Sequence, residues 1–476
     1  MRRKKISQLF LGTTLAVAFA SCITPAAMQK SDEPIVPSSY NTSIDSINSA
    51  KTNWKEFFAD SNLTALIDTA IRNNPEVGMA LQEIEVERNN VRIRKGALLP
   101  NVAVGVGMGV DKVGRYTSSG AGDASTDITP GNRVPDWLGD FNLGFQATWE
   151  ADIWGKLHHA KKAAFTKYLG SIEAKNWVTT NLVAEVANSY YELLALDNQL
   201  AIIRKAIRLQ QNELEIVKVQ KQASVVTELA VKQFEAQLYN TQSMEYDVLQ
   251  QITETENNIN FLLGRYPQKI TRDTAAIIDQ LPQSVKTGIP VQLLKNRPDI
   301  RQAELELFAA KCEVKIAEAE FYPSLGLRSG LGINAFKPSY LLTMPESLIF
   351  SLAGDLSAPI FNRNAIKAEY NQANARQVEA LLDYRKSVWN GYREVANEMS
   401  NIGNLEKLYN TKSKEAQTQM QSVSIASDLF KSARANYLEV LMAQRESLST
   451  QLELVEARKR QFNAVTNIYK ALGGGW

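Results

Sequence analysis

Residues able to do chemistry are few in this 476-residue chain and are poorly placed for catalysis. The two histidines, His158 and His159, are adjacent at the start of a predicted long helix. Helical neighbours point about 100° apart, whereas a helical zinc pair needs i, i+4 spacing, so the two predict a solvated face and no metal site. Gly105-Val106-Gly107-Met108-Gly109 lacks the GxGxxG spacing of a nucleotide turn and lies inside a strand pattern. Neither a P-loop nor a serine nucleophile elbow occurs. The expectation is no enzyme and no cofactor. Asn436-x-x-Glu439 has the spacing of a capping box, with Asn436 as N-cap and Glu439 at N3. Cysteine occurs twice. Cys312 lies in a helical pattern and reads as a small packing residue, so no structural disulfide is expected.

The other cysteine, Cys22, follows Arg2, Arg3, Lys4, Lys5 and an apolar run from Leu9 to Ala20. That run is too short to span a bilayer and reads as a signal-peptide core over residues 1–21. Phe19-Ala20-Ser21-Cys22 resembles a bacterial lipobox, in which small residues precede a cysteine that is lipidated and becomes the new N-terminus. It departs from the pattern in having Phe19 where leucine is typical. Lipidation of Cys22 holds a chain to a membrane surface without spanning it. Residues 22–60, rich in Ser, Pro, Asn and Asp, then read as a tether. Without the four basic leader residues the balance is 49 basic against 51 acidic. No Arg/aromatic cluster stands out, which argues against nucleic acid as a partner.

The elements that position these residues are two very long helical stretches. Ser171 to Leu263 and Leu405 to Leu472 contain no glycine or proline. In the first, Val183, Val186, Tyr190, Leu193, Leu200, Ile203, Ile207 and Leu214 recur at sums of three and four, one stripe of an α-helix. In the second, Leu441, Leu448, Leu452, Val455, Phe462, Val465, Tyr469 and Leu472 do the same. Between Pro100 and Glu150 the period becomes two. Val102, Val104, Val106, Met108 and Val110 alternate with small residues; after a polar stretch from Asp111 to Asp140, Phe141, Leu143, Phe145, Ala147 and Trp149 alternate with Asn142, Gln146, Thr148 and Glu150. Such strands are long enough to cross a bilayer when tilted. Trp137, Trp149, Trp154 and Tyr322 near their ends suit membrane-interface girdles, or packing.

The second half repeats the first. Pro75-Glu76 and Pro298-Asp299 each precede a helix, and prolines close both helices at Pro100 and Pro323. Val102, Val104, Met108 and Val110 fall on Leu325, Leu327, Leu331 and Ile333; Phe141, Leu143, Phe145 and Trp149 fall on Leu348, Phe350, Leu352 and Leu356. The expected organisation is a first repeat over 61–263 (strand pair about 101–150, long helices 152–263) and a linker over 264–297. A second repeat over 298–472 follows (strand pair about 324–357, long helices 362–472), with a tail over 473–476. Four membrane strands cannot close alone, because open edges in lipid leave backbone groups unpaired. If they span a bilayer, chains must pool them.

The chain resembles the TolC-type outer-membrane factor family, specifically its lipidated drug-efflux branch. The resemblance rests on Asn74-Pro75-Glu76, Leu99-Pro100, Trp149-Glu150-Ala151-Asp152-Ile153-Trp154-Gly155-Lys156, Leu262-Leu263-Gly264-Arg265 and Leu293-Leu294-Lys295-Asn296-Arg297-Pro298-Asp299-Ile300. Phe321-Tyr322-Pro323-Ser324 and Ala358-Pro359-Ile360-Phe361 continue it, covering nearly the whole mature chain in the family's order. It implies an α+β membrane protein: a homotrimer whose twelve-stranded outer-membrane β-barrel, four strands per chain, is continued by a long periplasmic α-helical barrel. It implies a passive exit duct that docks on a periplasmic adaptor and an inner-membrane RND-type transporter. It also places Glu439 at a pore constriction at the periplasmic tip. Met442 stands where a further acid is often found, leaving one carboxylate ring. Competing readings are the outer channel of a protein-secretion system and a lipid-anchored helical scaffold without a pore; the paired amphipathic strands count against the scaffold.

Overall fold

A computed structural model describes residues 37, 40, 52–273, 286–288, 290–358, 363–432 and 434–476. The elements are, in order, helices α1 (Trp54–Phe57), α2 (Ser61–Asn73) and α3 (Pro75–Gly96); strand β1 (Asn101–Asp111); helix α4 (Ser118–Ser125); strands β2 (Asp127–Thr129), β3 (Asn132–Arg133) and β4 (Leu138–Ala151); and helices α5 (Lys156–Gln222) and α6 (Glu228–Leu262). After a 3₁₀ turn the second half adds α7 (Leu293–Asn296), α8 (Pro298–Ala319), β5 (Ser324–Ala335), β6 (Leu348–Ser357), α9 (Arg363–Lys431) and α10 (Tyr437–Ala471). At 67 and 69 residues, α5 and α9 are each about 100 Å long at ~1.5 Å rise per residue. Among the described residues no helix is long and apolar enough to cross a membrane.

The chain divides into two compact units. The first holds the strands and the helix segments beside them. Its sheet has the order β1-β4-β5-β6, antiparallel throughout, so the strand pairs of the two repeats meet at β4 and β5. The polar 111–140 stretch contains α4 and the β2–β3 ribbon. The Thr117 side chain caps α4 by accepting from Gly120 N–H at 3.1 Å. Gly120 packs against the Gly114 carbonyl, where a Cβ would come within 2.2 Å, so only glycine fits at this place in the first turn of the helix.

The second unit holds the long helical packing. All eight residues of the first sequence stripe, Val183 to Leu214, are buried. They pack with Phe462, Val465 and Tyr469 at one level and with Val231, Phe234 and Val440 at another. The repeat is reproduced at its junctions. Asn74, just before Pro75, donates to the Leu262 carbonyl at 2.9 Å at the end of α6. Arg297, just before Pro298, donates to the Ala471 carbonyl at 2.8 Å at the end of α10. Gly264 (φ +65°) and Gly473 (φ +89°) follow those helix ends in the left-handed region. A Cβ on either would come within 2.4 or 2.5 Å of the carbonyl of Asn73 or Asn296, the residue before each junction. Both repeats are thus closed by the same device.

Arg297 is fully buried. Its guanidinium pairs with Asp299 at 2.6 Å and Glu394 at 2.7 Å and lies over the Trp177 ring. Gly391 inside α9 explains why that helix tolerates a glycine: a Cβ there would press on Arg297 Nε and Ile300 at 3.2 Å. Arg272 is a second clamp, holding the linker to Asp197 of α5 and Glu256 of α6, both at 2.5 Å. Tyr40 is buried against Tyr392 with ring centroids 5.4 Å apart, which ties the tether to the core around Leu293 and Ile300.

Candidate functional site

The strand register decides which side chains share a face. One row across the sheet is Val104, Phe145, Leu331 and Phe350; the next is Val106, Leu143, Ile333 and Leu348. Every strand contributes apolar side chains to this face, and most are exposed, Phe350 by 82% and Val106 by 80%. The opposite face carries Ala103, Gln146, Gly330 and Ser351 in one row, and Asn101, Thr148, Arg328 and Ala353 in another. Beyond the Gln146 row, on the side away from Thr148, lie Gly105, Gly144 and Gly332, with Ile349 completing the row. A Cβ on Gly332 would come within 2.6 Å of the Leu143 carbonyl, so the backbones of β4 and β5 approach too closely for any side chain there. Asn142, Gln146 and Glu150 all lie on this polar face. Glu150 pairs with Lys156 at 2.7 Å, and Arg328 faces Asp355 at 3.6 Å.

The aromatics near the strand ends are committed to hydrogen bonds and stacking. Trp149 Nε1 donates to the Leu98 carbonyl at 3.0 Å, and Trp154 Nε1 to the Pro323 carbonyl at 2.8 Å. Trp154 also stacks on Tyr322 with centroids 4.6 Å apart, while Trp137 receives the Lys112 ammonium at 5.0 Å. His158 is exposed as expected, yet its Nδ1 lies 2.5 Å from Asp152. Asp152 caps the start of α5, accepting from the N–H groups of Leu157 and His158 at 2.9 and 2.8 Å. Burial works to raise its pKa, but the His158 and backbone hydrogen bonds outweigh that and hold it below the ordinary value. Cys312 is a free thiol buried in α8, and burial raises its pKa. Cys22 lies outside the described residues.

At the far ends of the long helices the two halves turn alike. Val225 N–H bonds the Gln220 carbonyl at 2.9 Å and Arg434 N–H the Leu429 carbonyl at 2.8 Å, each closing the helix across five residues. In the first turn Ser224 takes the positive φ of 58°, and Lys221 pairs with Glu228 across the bend. In the second, Asn436 is the N-cap of α10, its side chain accepting from Leu438 N–H at 3.3 Å. The reciprocal half of the expected capping box is absent among the described residues, because the Glu439 carboxylate does not return to Asn436. Glu439 is exposed, whereas Ala230, at the matching place in α6, is fully buried. Along α10 the exposed stripe from Glu439 continues through Met442 to Glu446, an acid two turns on.

Comparison with known proteins agrees with this architecture. The model of the family described as outer membrane efflux protein matches residues 66–265 and 289–474. The chain is 30% identical over 442 residues to the solvent efflux pump outer membrane protein SrpC of Pseudomonas putida, covering 90% of this chain and 89% of SrpC. It is 28% identical over 474 residues to the cation efflux system protein CusC of Escherichia coli, covering 97% of each. A solved membrane protein from Pseudomonas aeruginosa matches with a TM-score of 0.84 at 24% identity, over 94% of this chain and 100% of that one, which shows the shared fold.

Proposed function

Since the chain belongs to the outer membrane efflux protein family, we propose that it is the passive exit duct of a tripartite efflux pump. In this reading a homotrimer carries small toxic compounds or drugs from a periplasmic adaptor and an inner-membrane RND-type transporter to the exterior. The observation that carries it is the four-stranded sheet, apolar on one face, polar on the other, with β1 and β6 left as open edges. An open edge in lipid leaves each backbone group unsatisfied at several kcal/mol. Known bacterial barrels begin at about eight strands, so one chain is too few; three chains pairing β6 of one with β1 of the next supply twelve. The apolar face then meets lipid, and the Gln146 face lines the water path. The cargo is a finer matter: one similar protein is named for solvents and another for cations, so the duct's architecture serves more than one.

Glu439 is the proposed pore constriction. Its carboxylate is exposed at the start of α10, and the capping task is carried by Asn436. Three such carboxylates converging on a pore axis repel one another and favour bound cations. Planar-bilayer conductance of the mature protein, beside Glu439→Ala, tests both claims. A small resting conductance that rises on substitution supports a trimeric duct gated there. Conductance unchanged by the substitution removes Glu439 from the gate, and a water-soluble monomer without discrete conductance sinks the duct.

A further inference from the structure

We propose that a cavity among α5, α9 and α10 binds a small amphiphilic cation, a protonated amine on an apolar body. The cavity has a volume of about 370 Å³. Gln210 and Gln444 line it, only 3% and 9% exposed, and the amide oxygen Oε1 of each meets no donor among the described residues. Glu213, one turn along α5 from Gln210, adds a half-buried carboxylate. It accepts from Gln444 Nε2 and lies 3.5 Å from Ser427 Oγ. Amide oxygens and an ionised carboxylate only accept hydrogen bonds, and the two amide oxygens are left without a donor among the described residues. An ammonium group brings three N–H donors and the opposite charge, the complement of these acceptors.

The remaining walls fit the rest of such a ligand. Ile202, Met420 and Leu448 supply apolar surface. The charged groups facing Glu213 are Lys205 on its own helix and Asp428 and Lys431 on α9, all exposed at the rim. From α10 the cavity receives only neutral side chains. Lys431 turns to Asp428 at 3.8 Å, and among the described residues no lysine or arginine forms an ion pair with Glu213. The deepest charge in the cavity is left to an occupant. Burial raises the Glu213 pKa, against the opposing influence of Lys431 and Ser427, so the site binds cations best once pH is high enough to ionise it.

The site does not depend on the duct reading, because binding is measured without conductance. Full-length protein in lipid nanodiscs is titrated with dansylcadaverine, a primary ammonium on an aromatic body, and with neutral dansylamide. Saturable binding of the cation and a much weaker response to the neutral probe are expected. Glu213→Gln is expected to weaken dansylcadaverine by roughly 10- to 100-fold, the worth of a charge-assisted hydrogen bond, and to leave dansylamide unchanged. Gln210→Leu, which keeps the carboxylate, is expected to weaken it by a smaller factor. Equal binding of the two probes to the wild type, which needs no variant to fold, overturns the site. So does a Glu213→Gln affinity within twofold of wild type, or no saturable binding, which leaves a cavity holding only water.

Discussion

Arg297 is a fully buried, fully paired charge in the helical unit. Its charge is fully removed from water and compensated by Asp299, Glu394, the Ala471 carbonyl and the face of Trp177. Removing one partner of a buried pair leaves an uncompensated charge, which costs about 3–5 kcal/mol. Arg297→Met is therefore expected to lower the thermal midpoint of the helical signal sharply. Arg297→Lys keeps the charge but loses the two-pronged contact with Asp299, and falls between; equal midpoints for the two variants would show that the charge itself contributes nothing. Glu213 makes a pH prediction of opposite sign to that of a paired carboxylate. Burial raises its folded pKa above the ordinary value of 4.5, so the native state holds the proton more tightly than the unfolded chain. The resulting penalty is full above the raised value and relieved as pH falls toward 4.5. The midpoint of wild type relative to Glu213→Gln is expected to be less favourable at pH 8 than at pH 5, and a flat difference would contradict the assignment.

At the scale of elements, the repeated closure of each half rests on glycines whose jobs differ by position. Gly473 combines a positive φ with a carbonyl where its Cβ would sit, so Gly473→Ala meets both backbone strain and a clash and is expected to cost more than about 1 kcal/mol. Gly78 lies inside α3 with open space around its Cβ position, so Gly78→Ala is expected to be neutral or to stabilise by up to about 1 kcal/mol. Thermal midpoints of the two variants on either side of wild type would bear this out; two equal losses would mean that the helix junctions are not special. The prolines that close these helices were visible in the residues, and so was the spacing of the repeats. The hydrogen bonds from Asn74 to Leu262 and from Arg297 to Ala471 were not, since they join residues 188 and 174 apart.

For the whole molecule, the decisive property is a sheet whose two faces demand different solvents. Lysine on a lipid-facing strand costs about 2–4 kcal/mol at mid-membrane, while a lumen position tolerates it. Phe145→Lys is expected to reduce recovery of inserted trimer. Gln146→Lys, the adjacent residue on the other face, is expected to assemble and alter conductance. Equal insertion of both would mean that the apolar face does not meet lipid. The N-terminal peptide of membrane-extracted protein is expected to carry acyl groups on Cys22 by mass spectrometry; an unmodified Cys22 would remove the anchor and leave the barrel reading intact.

The residues alone determined what depends on neighbours in sequence. Period 3.6 placed the buried stripe from Val183 to Leu214, period 2 placed the apolar face from Val102 to Val110, and proline and glycine marked where helices begin and end. Asn436 was recognisable as an N-cap because capping is a local bond. Tertiary structure alone decided what depends on residues brought together from far along the chain. It brought β5 beside β4, so that the two strand pairs form one sheet. It buried Arg297 against Glu394, and it set Glu213 against Gln444, 231 residues away. It also separated Glu439 from the reciprocal capping bond its spacing allowed. Periodicity records which way each side chain faces along its own element, but not which distant element arrives to face it.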